Sequence, residues 1–423
     1  MKRYRLRESM NGIDEPPRKT WFWELEAGVI EADRCIECGT CVAVCPSNSL
    51  GVNPDTNLPE LVKMCTGCSL CWDFCPRGGL RYETTWPPST PHDDPEAQPV
   101  ELITKPDAAD PYFTLTGAAP GEGLGRVEAT YAARASRRTE GVQDGGVVTA
   151  LLVALFEAGQ IDGALVAKPS ADPNEPWKAV PTVVTTVAEI RAAAGSFYNQ
   201  SMALAALDLT GKDLPANPRI AAVGTPCEVA GLRAMQSKRW PTGAHRVDAV
   251  ILSIALLCTK SFSYEGLMHE ELKQRRGIDL NRVSKVDVTR GRLIVEYRDG
   301  AIAVDESIKA FHGAALKGCD ECADFLGRSA DISVGSVGSN DGWTTVLVRT
   351  ERGRQSFEAA RRGLDVRDLD DAAALVRLDE LDQKIARRAL GRDLDPMGAT
   401  FMTYDEHVAN YADTTRQPVV IRR

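Results

Sequence analysis

The sequence has few of the features that define several large classes of protein. It contains five histidines, and none lies within a cysteine motif, so a mixed Cys/His zinc site has no local support. Its longest apolar runs, at 147–156 and 249–258, have about half of the ~20 residues that a membrane span needs. The first residues, MKRYRLRESMNGIDEPP, contain no apolar core, so no secretory signal is expected. We therefore expect a cytoplasmic protein without a membrane span.

An excess of positive charge is also lacking. Lys and Arg number 50 against 59 Asp and Glu, which gives a formal net charge of −9. Because an acidic surface repels phosphate backbones, we expect no nucleic-acid partner. Apolar residues make up 43% and charged residues 26% of the 423 residues, a composition typical of a globular chain with two or three domains.

The chain divides into five segments. Residues 1–30 are a basic and then aromatic lead-in, and residues 31–82 hold eight of the twelve cysteines. Residues 83–124 carry eight of the 24 prolines, which predicts an extended linker because proline interrupts helices and central strands. Residues 125–400 alternate buried-strand and helix patterns, as an α/β domain does, and residues 401–423 form a C-terminal tail. The fold class we predict is thus a ferredoxin module, a Pro-rich linker and an α/β domain.

The string CxxCxxCxxxCP occurs twice in residues 31–82. Three thiolates of such a string surround one iron–sulfur cube, while the fourth, before proline, ligates the other cube. The predicted first cluster has Cys35, Cys38, Cys41 and Cys75, and the second has Cys45, Cys65, Cys68 and Cys71. Disulfides are disfavoured in a reducing compartment, and zinc ribbons use two CxxC pairs. We predict a bacterial-type ferredoxin module with two 4Fe–4S clusters.

The other four cysteines come from three segments. Cys227 and Cys258 follow predicted strands, whereas Cys319 and Cys322 form a CxxC motif. In α/β sheets the carboxyl ends of strands bind ligands. Spacing alone leaves three interpretations: a third iron–sulfur cluster, a redox CxxC pair with two buried cysteines, or a Cys₄ zinc site.

Four further motifs offer groups that could bind a cofactor: QDGGVVTALL, GSFYNQS, GTP and GSVGSNDGW. Glycines before a helix let a phosphate approach the unpaired N–H groups of its first turn. Each motif is also compatible with an ordinary cap, turn or surface loop. The candidate residues are Gly145, Gly146, Val147, Thr149, Ser196, Tyr198, Asn199, Ser201, Gly224, Thr225, Pro226, Gly338, Ser339 and Trp343.

Taken in order, the motifs resemble the coenzyme F420 hydrogenase/dehydrogenase beta-subunit family. The resemblance covers about residues 125–400 and rests on QDGGVVTALL, GTPCEVAGLRAMQ, LLCTKSFSYEGL, CDECADFLGRSADISVGSVGSNDGW and TTVLVRTERG. It implies a bound FAD and a 4Fe–4S cluster held by Cys227, Cys258, Cys319 and Cys322, hence three clusters in all. With its ferredoxin module, the chain is similar to the input subunits of archaeal F420H2 dehydrogenases and to the front half of deazaflavin-dependent sulfite reductases.

The resemblance also implies a function. Hydride would be exchanged between coenzyme F420 and FAD, and single electrons would be relayed through the 4Fe–4S clusters to or from a partner protein or subunit. Hydride transfer takes place at the flavin, so no acid–base residue is singled out. The coenzyme's anionic tail calls for basic residues. The candidates are Lys178, Arg233, Lys168 and Lys260.

The resemblance leaves an alternative open. A reductase or electron-transfer subunit of the same fold could use NAD(P)H, ferredoxin or a small organic substrate. No GxGxxG motif follows a predicted strand, which disfavours a Rossmann NAD site. In either case the expected partner is a redox subunit or complex, and association at the periphery of a membrane complex is compatible with the sequence.

Overall fold

The computed structural model describes residues 21–68, 70–77, 123–137, 139–209, 211–237 and 245–390. The predicted linker, apart from residues 123 and 124, lies outside the described residues, as do residues 1–20 of the lead-in and the predicted tail at 401–423. Among the helices that the structure describes, none is long and apolar enough to cross a membrane.

The cysteine-rich module is built from short elements. They are α1 (Phe22–Leu25), a π-type turn (Glu26–Ile30), α2 (Thr40–Val44), β1 (Leu50–Val52), β2 (Pro59–Leu61) and α3 (Leu70–Asp73). Strands β1 and β2 pair antiparallel. Gly39 and Gly67, inside the two cysteine strings, have φ of 79° and 67°. Only glycine adopts this conformation at no steric cost, so both turns depend on it.

The aromatic lead-in packs inside this module. Phe22 and Trp72 are 1% and 2% exposed and share a core cluster with Cys41, Cys45 and Cys71. Burial of each such ring contributes about 2–3 kcal/mol. The segment just before the first cysteine string is therefore part of the module's core.

The α/β domain has its elements in the following order. Its described strands are β3 (Ala129–Ala135), β4 (Gly163–Pro169), β5 (Ala179–Val184), β6 (Ile220–Gly224), β7 (Val250–Leu256), β8 (Val283–Thr289), β9 (Arg292–Tyr297), β10 (Ile302–Ser307), β11 (Ile332–Gly335), β12 (Thr344–Val348) and β13 (Leu364–Arg367). Its described α-helices are α4 (Val147–Glu157), α5 (Val187–Ala192), α6 (Pro226–Ser237), α7 (His245–Asp248), α8 (Glu351–Ala360) and α9 (Ala372–Leu390). A π-type helix (Glu265–Arg275) and 3₁₀ turns (Ala203–Leu207, Leu280–Arg282, Ile308–Ala314, Lys317–Glu321, Arg361–Gly363) complete the domain.

Eight of these strands form one mixed sheet, in the order β13-β3-β12-β11-β7-β6-β4-β5. The central strands β11, β7, β6 and β4 are parallel, and the strands on both flanks are antiparallel. Parallel strands are covered on both faces, which explains why β6 and β7 have the nearly unbroken apolar runs IAAV and VILSIAL. Their carboxyl ends lie at one edge, the edge next to Cys227 and Cys258.

The remaining three strands form a separate antiparallel sheet, β10-β9-β8. The hairpin predicted around Gly291 is β8–β9, and Gly291 has the positive φ of 74° that its turn requires. The charged helix predicted from about residue 378 begins earlier, at Ala372.

The module and the α/β domain approach each other through glycines. A Cβ atom on Gly39 would lie 2.6 Å from the backbone nitrogen of Ala205, and one on Gly231 of α6 would collide with the hydroxyl of Thr40. Helix α2 thus packs directly on α6 and on the 3₁₀ turn beside it. The glycines let the backbones come closer than any side chain would allow.

Candidate iron–sulfur and flavin sites

Two cavities in the cysteine-rich module are lined by the two predicted cysteine sets. Site one, with an empty volume of about 360 Å³ including open solvent, is lined by Cys35, Cys38, Cys41 and Cys75. Site two, of about 300 Å³ measured the same way, is lined by Cys45, Cys65, Cys68 and Cys71. Each set takes three cysteines from one string and one from the other, as the crossed motif requires.

Backbone N–H groups point at sulfurs in both sites. The amides of Glu37 and Arg77 donate to Cys35 Sγ and Cys75 Sγ, each at 3.4 Å. In site two, the amides of Ser49 and Gly67 donate to Cys45 Sγ at 3.2 Å and Cys65 Sγ at 3.4 Å. Such donors stabilise negatively charged sulfur and tune cluster potentials. This donor set fits thiolates that ligate iron.

Burial keeps these thiols protonated while they are unligated. It raises the pKa of Cys75 to about 12 and that of Cys68 to about 11, and it also raises the pKa of Cys35 and Cys41. None of the twelve cysteines forms a disulfide. Iron must therefore displace protons as it binds, and the same water-free walls then shield the cluster.

Site three comprises the four cysteines of the α/β domain. Cys227 lies in the first turn of α6, after β6, and Cys258 lies two residues after β7. The pKa of Cys258 is raised by burial and, to a smaller extent, by the negative charges of Cys319 and Cys322. The pKa of Cys227 is raised by burial and then by the negative charges of Glu228, Cys38 and Cys322. Cys258 therefore lies near Cys319 and Cys322, and Cys227 lies near Cys322.

The cysteine sets are not arranged for a single ion. In the described ranges, no group of three or more His, Cys, Asp or Glu side chains is placed to hold one metal ion. A zinc ion needs its four ligands within bonding distance of one atom. A 4Fe–4S cube takes one sulfur at each of four separate irons, so its ligands lie farther apart.

The QDGG motif leads into α4. Gly146 precedes the helix with φ of 70°, and no side chain caps the N–H groups of the first turn. The amide of Gly145 donates to Thr344 Oγ1 at 3.1 Å. The Nε2 atom of Gln143 is buried and has no partner among the described residues. An uncapped helix N-terminus beside an unsatisfied donor fits a phosphate group; Val147 and Thr149 are buried in the same turn.

The polar side chains of the GSFYNQS loop form hydrogen bonds mainly with other parts of the protein. The Tyr198 hydroxyl accepts from the amide of Val288 at 2.9 Å and donates to Asp287 at 3.3 Å. The Asn199 side chain accepts from Ala179 at 2.9 Å and donates to the carbonyl of Trp177 at 2.8 Å. These two side chains hold the loop between the sheets. Ser201 is buried, and Ser196 is half-buried.

The GTP turn lies between β6 and α6. Gly224 ends β6, Pro226 begins α6, and the Thr225 hydroxyl lies 3.1 Å from Cys227 Sγ. The Thr225 amide donates to Glu228 Oε2 at 2.7 Å. The turn is therefore in direct contact with site three.

The glycine-rich loop after β11 carries Trp343 between two cations. The guanidinium groups of Arg134 and Arg367 lie 4.6 and 4.3 Å from its ring centroid. Gly338 has φ of 92°, and Ser339 Oγ lies 2.7 Å from Thr345 Oγ1. The loop thus presents a planar ring flanked by positive charge.

Of the four basic candidates, Arg233 needs correction. It is 5% exposed, and its guanidinium pairs with Asp331 at 2.5 Å and donates to Ser253 at 2.9 Å. It is a buried structural cation of α6, since the charge pair lies inside the core. Its side chain faces the core and not a surface groove.

The three lysines lie nearer the surface. Lys178 pairs with Glu175 at 2.6 Å and donates to the carbonyl of Pro54 at 2.9 Å, which joins it to the cysteine-rich module. Lys260 pairs with Asp320. Lys168 is half-buried on β4.

Three charged residues next to the cysteine sets are not indicated by any of the motifs. Arg34 precedes Cys35, Arg77 follows the Cys75–Pro76 pair, and Glu321 lies within the CxxC motif. All three are buried. Their positions next to predicted cysteine ligands could have drawn attention to them. Nothing in the sequence shows that the three side chains contact one another.

Family models assign both parts of the chain. Residues 28–81 match the 4Fe-4S dicluster domain. Residues 130–208 and 217–372 match the N-terminal and C-terminal models of the coenzyme F420 hydrogenase/dehydrogenase beta subunit. Fold and site define an iron–sulfur oxidoreductase with a ferredoxin-like domain joined to a mixed α/β domain.

Individual relatives specify the family. Coenzyme F420 hydrogenase subunit beta of Methanothermobacter thermautotrophicus is 35% identical over 222 residues, which cover 51% of this chain and 76% of the relative. The chain belongs to the coenzyme F420 hydrogenase/dehydrogenase beta-subunit family, and the family prediction is confirmed. The F420-reducing [NiFe] hydrogenase complex from Methanosarcina barkeri contains a chain with a TM-score of 0.56 and 28% identity, covering 66% of this chain and 92% of that one.

A longer relative includes the cysteine-rich module in its match. The coenzyme F420-dependent sulfite reductase of Methanocaldococcus jannaschii is 29% identical over 384 residues, or 86% of this chain. This chain spans about half, 52%, of that relative's length.

Proposed function

We propose that the chain exchanges hydride between coenzyme F420 and a bound FAD, and relays single electrons through three 4Fe–4S clusters to or from a partner subunit. The observation that carries this proposal is that two cavities are each lined by four cysteines of the crossed motif, in a member of the F420 family. The relatives' names supply the coenzyme, and the cysteine sets supply the electron path.

The chain's own residues fit the cofactors in defined roles. We assign the FAD phosphates to the N-terminus of α4, with Gly145, Gly146 and Gln143 beside them. The GTP turn and the glycine-rich loop at 335–343 would flank the ring, next to site three. When bound, FAD accepts an electron pair as hydride and releases electrons singly, which a 5-deazaflavin does not do.

The order of the sites follows from their neighbours. Negative charge on Cys38 of site one raises the pKa of Cys227 of site three, so these two cysteines lie near each other. Negative charge on Cys71 of site two likewise raises the pKa of Cys41 of site one. Site one therefore lies between the other two, and the electron path runs from the flavin side through sites three, one and two. The ferredoxin unit at 31–82 and the flavin unit at 125–400 would each hold one end.

The coenzyme's anionic tail would be bound by the remaining basic candidates. The side chains of Lys178 and Lys260 are 15% and 18% exposed, and each is paired with a carboxylate that an incoming anion would displace. Lys168 adds positive charge on the neighbouring strand β4. Phosphate and carboxylate groups bind such ammonium groups by charge-assisted hydrogen bonds.

An anaerobic reduction tests the proposal. The protein, loaded with iron–sulfur clusters and FAD, is mixed with reduced coenzyme F420, and in separate samples with NADH and with reduced ferredoxin. We expect reduced F420 to bleach the flavin band first and the cluster bands next, and NADH to bleach neither. Bleaching by NADH alone would contradict the coenzyme assignment, and failure of every donor would refute the hydride exchange.

A further inference from the structure

Three buried charges join site one to site three. Arg34 donates from Nε and Nη2 to the two carboxylate oxygens of Glu321, at 2.8 and 2.7 Å, across 287 positions of sequence. Arg34 and Glu321 are both 0% exposed. Arg34 Nη1 donates to the carbonyl of Arg77 at 2.7 Å, and Arg77 Nε lies 3.9 Å from Glu321. We call Arg34, Glu321 and Arg77 the charge bridge.

Arg77 touches both sites. Its amide donates to Cys75 Sγ of site one at 3.4 Å. Its Nε donates at 2.9 Å to the carbonyl of Gly318, the residue before Cys319 of site three. The cation is 3% exposed, so little water screens it from either site.

We propose that Arg77, held in place by Arg34 and Glu321, is a positioning residue that keeps a buried positive charge between the clusters of sites one and three and raises the reduction potentials of both. This inference rests on the proposed function, because it assumes clusters in both sites. One electron leaves one cluster and enters the other, and no bond breaks and no proton moves in that step.

The electrostatics support this role. Arg77 is 3% exposed, its amide lies 3.4 Å from Cys75 Sγ, and its Nε lies 2.9 Å from the carbonyl next to Cys319, so its positive charge is close to both cysteine sets and poorly screened by water. A cation that stabilises thiolate also stabilises the extra electron of a reduced cluster, because both add negative charge.

Glu321 gives the bridge its second function. A guanidinium group that is buried without a carboxylate partner destabilises the fold. The bidentate pair with Glu321 also fixes the orientation of the Arg34 guanidinium plane. A Cβ atom on Gly318 would collide with the Arg34 carbonyl, so the CxxC loop and the first cysteine string are in contact at this point. The bridge therefore sets the distance between the two sites as well as the charge.

Potentiometric titration followed by electron paramagnetic resonance tests the bridge. The holo-protein is reduced with dithionite in the presence of mediators, so coenzyme F420 plays no part and failure of the coenzyme assignment would leave this result untouched. We expect Arg77→Gln, with full iron content, to lower the midpoint potentials of two clusters. Arg77→Lys should stay closer to wild type, and Glu321→Gln should shift the same two clusters upward. Arg219→Gln, which removes a surface cation paired with Asp162, is the control and should shift none.

The opposite signs separate charge from structure. A purely structural bridge would reduce stability or iron content in these variants without shifting the potentials of the retained clusters in opposite directions. Unchanged potentials in Arg77→Gln and Glu321→Gln would overturn the proposal, as would shifts of the same sign. If Arg77→Gln does not retain its clusters, the upward shift in Glu321→Gln decides the matter, and its absence refutes the bridge.

Discussion

At the scale of the residue, each cysteine of site three has an alternative role, and iron content distinguishes these roles. Cys227 and Cys258 come from separate strand ends, and in the proposed function they ligate the same iron–sulfur cube. Replacing either with serine should lower iron from about 12 to about 8 atoms per chain, because a cube that lacks one of four thiolates is lost. Iron and sulfide analysis of both purified variants measures this. About 8 iron atoms in the wild type and in both variants alike would argue for isolated buried thiols instead.

For Arg233, the sequence context suggested a role in anion binding that its buried position does not support. The basic residue in GLRAMQ suggested an anion site, yet its partner is Asp331, 98 positions away and 2% exposed. Arg233→Met should destabilise the fold by about 3–5 kcal/mol, since it leaves a buried carboxylate unpaired. Denaturant titration of the holo-protein measures this.

The matched control is Arg219→Met. Its partner Asp162 is at the surface, where an ion pair is worth about 0–1 kcal/mol. Equal losses in the two variants would contradict the structural role of Arg233. A weakened affinity for coenzyme F420 at unchanged stability would restore its role in binding the tail.

At the scale of the element, most strands could be predicted from the sequence, but which strands pair with each other could be predicted only in part. IAAV and VILSIAL predict buried strands because a covered parallel strand is apolar on both faces. Gly291 predicts the β8–β9 hairpin by its turn chemistry. Strand β10 was not identified, since its six residues, IAVDES, alternate too weakly to stand out.

Helix α4 offers a matched test of the flavin assignment. Gly146 at its start and Gly159 just beyond its end have φ of 70° and 64°, so alanine at either position incurs the same backbone strain of about 1–2 kcal/mol. Gly146→Ala should lower FAD bound per chain because its Cβ would meet the Val142 side chain at 3.1 Å and shift the turn that presents the uncapped N–H groups. Gly159→Ala should keep its flavin, as no atom lies within 4 Å of the added Cβ. Flavin released by denaturation is counted spectroscopically, and equal flavin content in the two variants would contradict the assignment.

At the scale of the whole molecule, the motifs predicted the two ferredoxin cysteine sets, the family resemblance implied the third, and neither indicated how the sets are connected. The double CxxCxxCxxxCP string specifies its own cross-ligation, and the strand ends place Cys227 and Cys258 at one edge. The pairing of Arg34 with Glu321 depends on how two separately folded parts pack, and no local pattern encodes that. The hydrogen bonds of Tyr198 and Asn199 could not be predicted for the same reason, because their partners lie in elements distant in sequence.

The packing of α2 on α6 should control electron flow between the two parts. Gly231→Leu places a side chain where Thr40 lies, so it should separate the module from the α/β domain. We expect reduced coenzyme F420 still to bleach the flavin while reduction of the ferredoxin clusters slows. Gly313→Leu, at a position with open space, is the control and should behave as wild type. Stopped-flow absorbance separates the two phases, and unslowed cluster reduction in Gly231→Leu would show that the contact is not on the path.

The account depends most on electrons passing from a two-electron donor into three one-electron sites. One equivalent of reduced coenzyme F420 is added anaerobically to oxidised holo-protein, the sample is frozen, and reduced clusters are counted by electron paramagnetic resonance. We predict that the coenzyme is oxidised and that its two electrons are recovered mainly as reduced 4Fe–4S clusters. Oxidised coenzyme with a fully reduced flavin and no cluster signal would contradict the account.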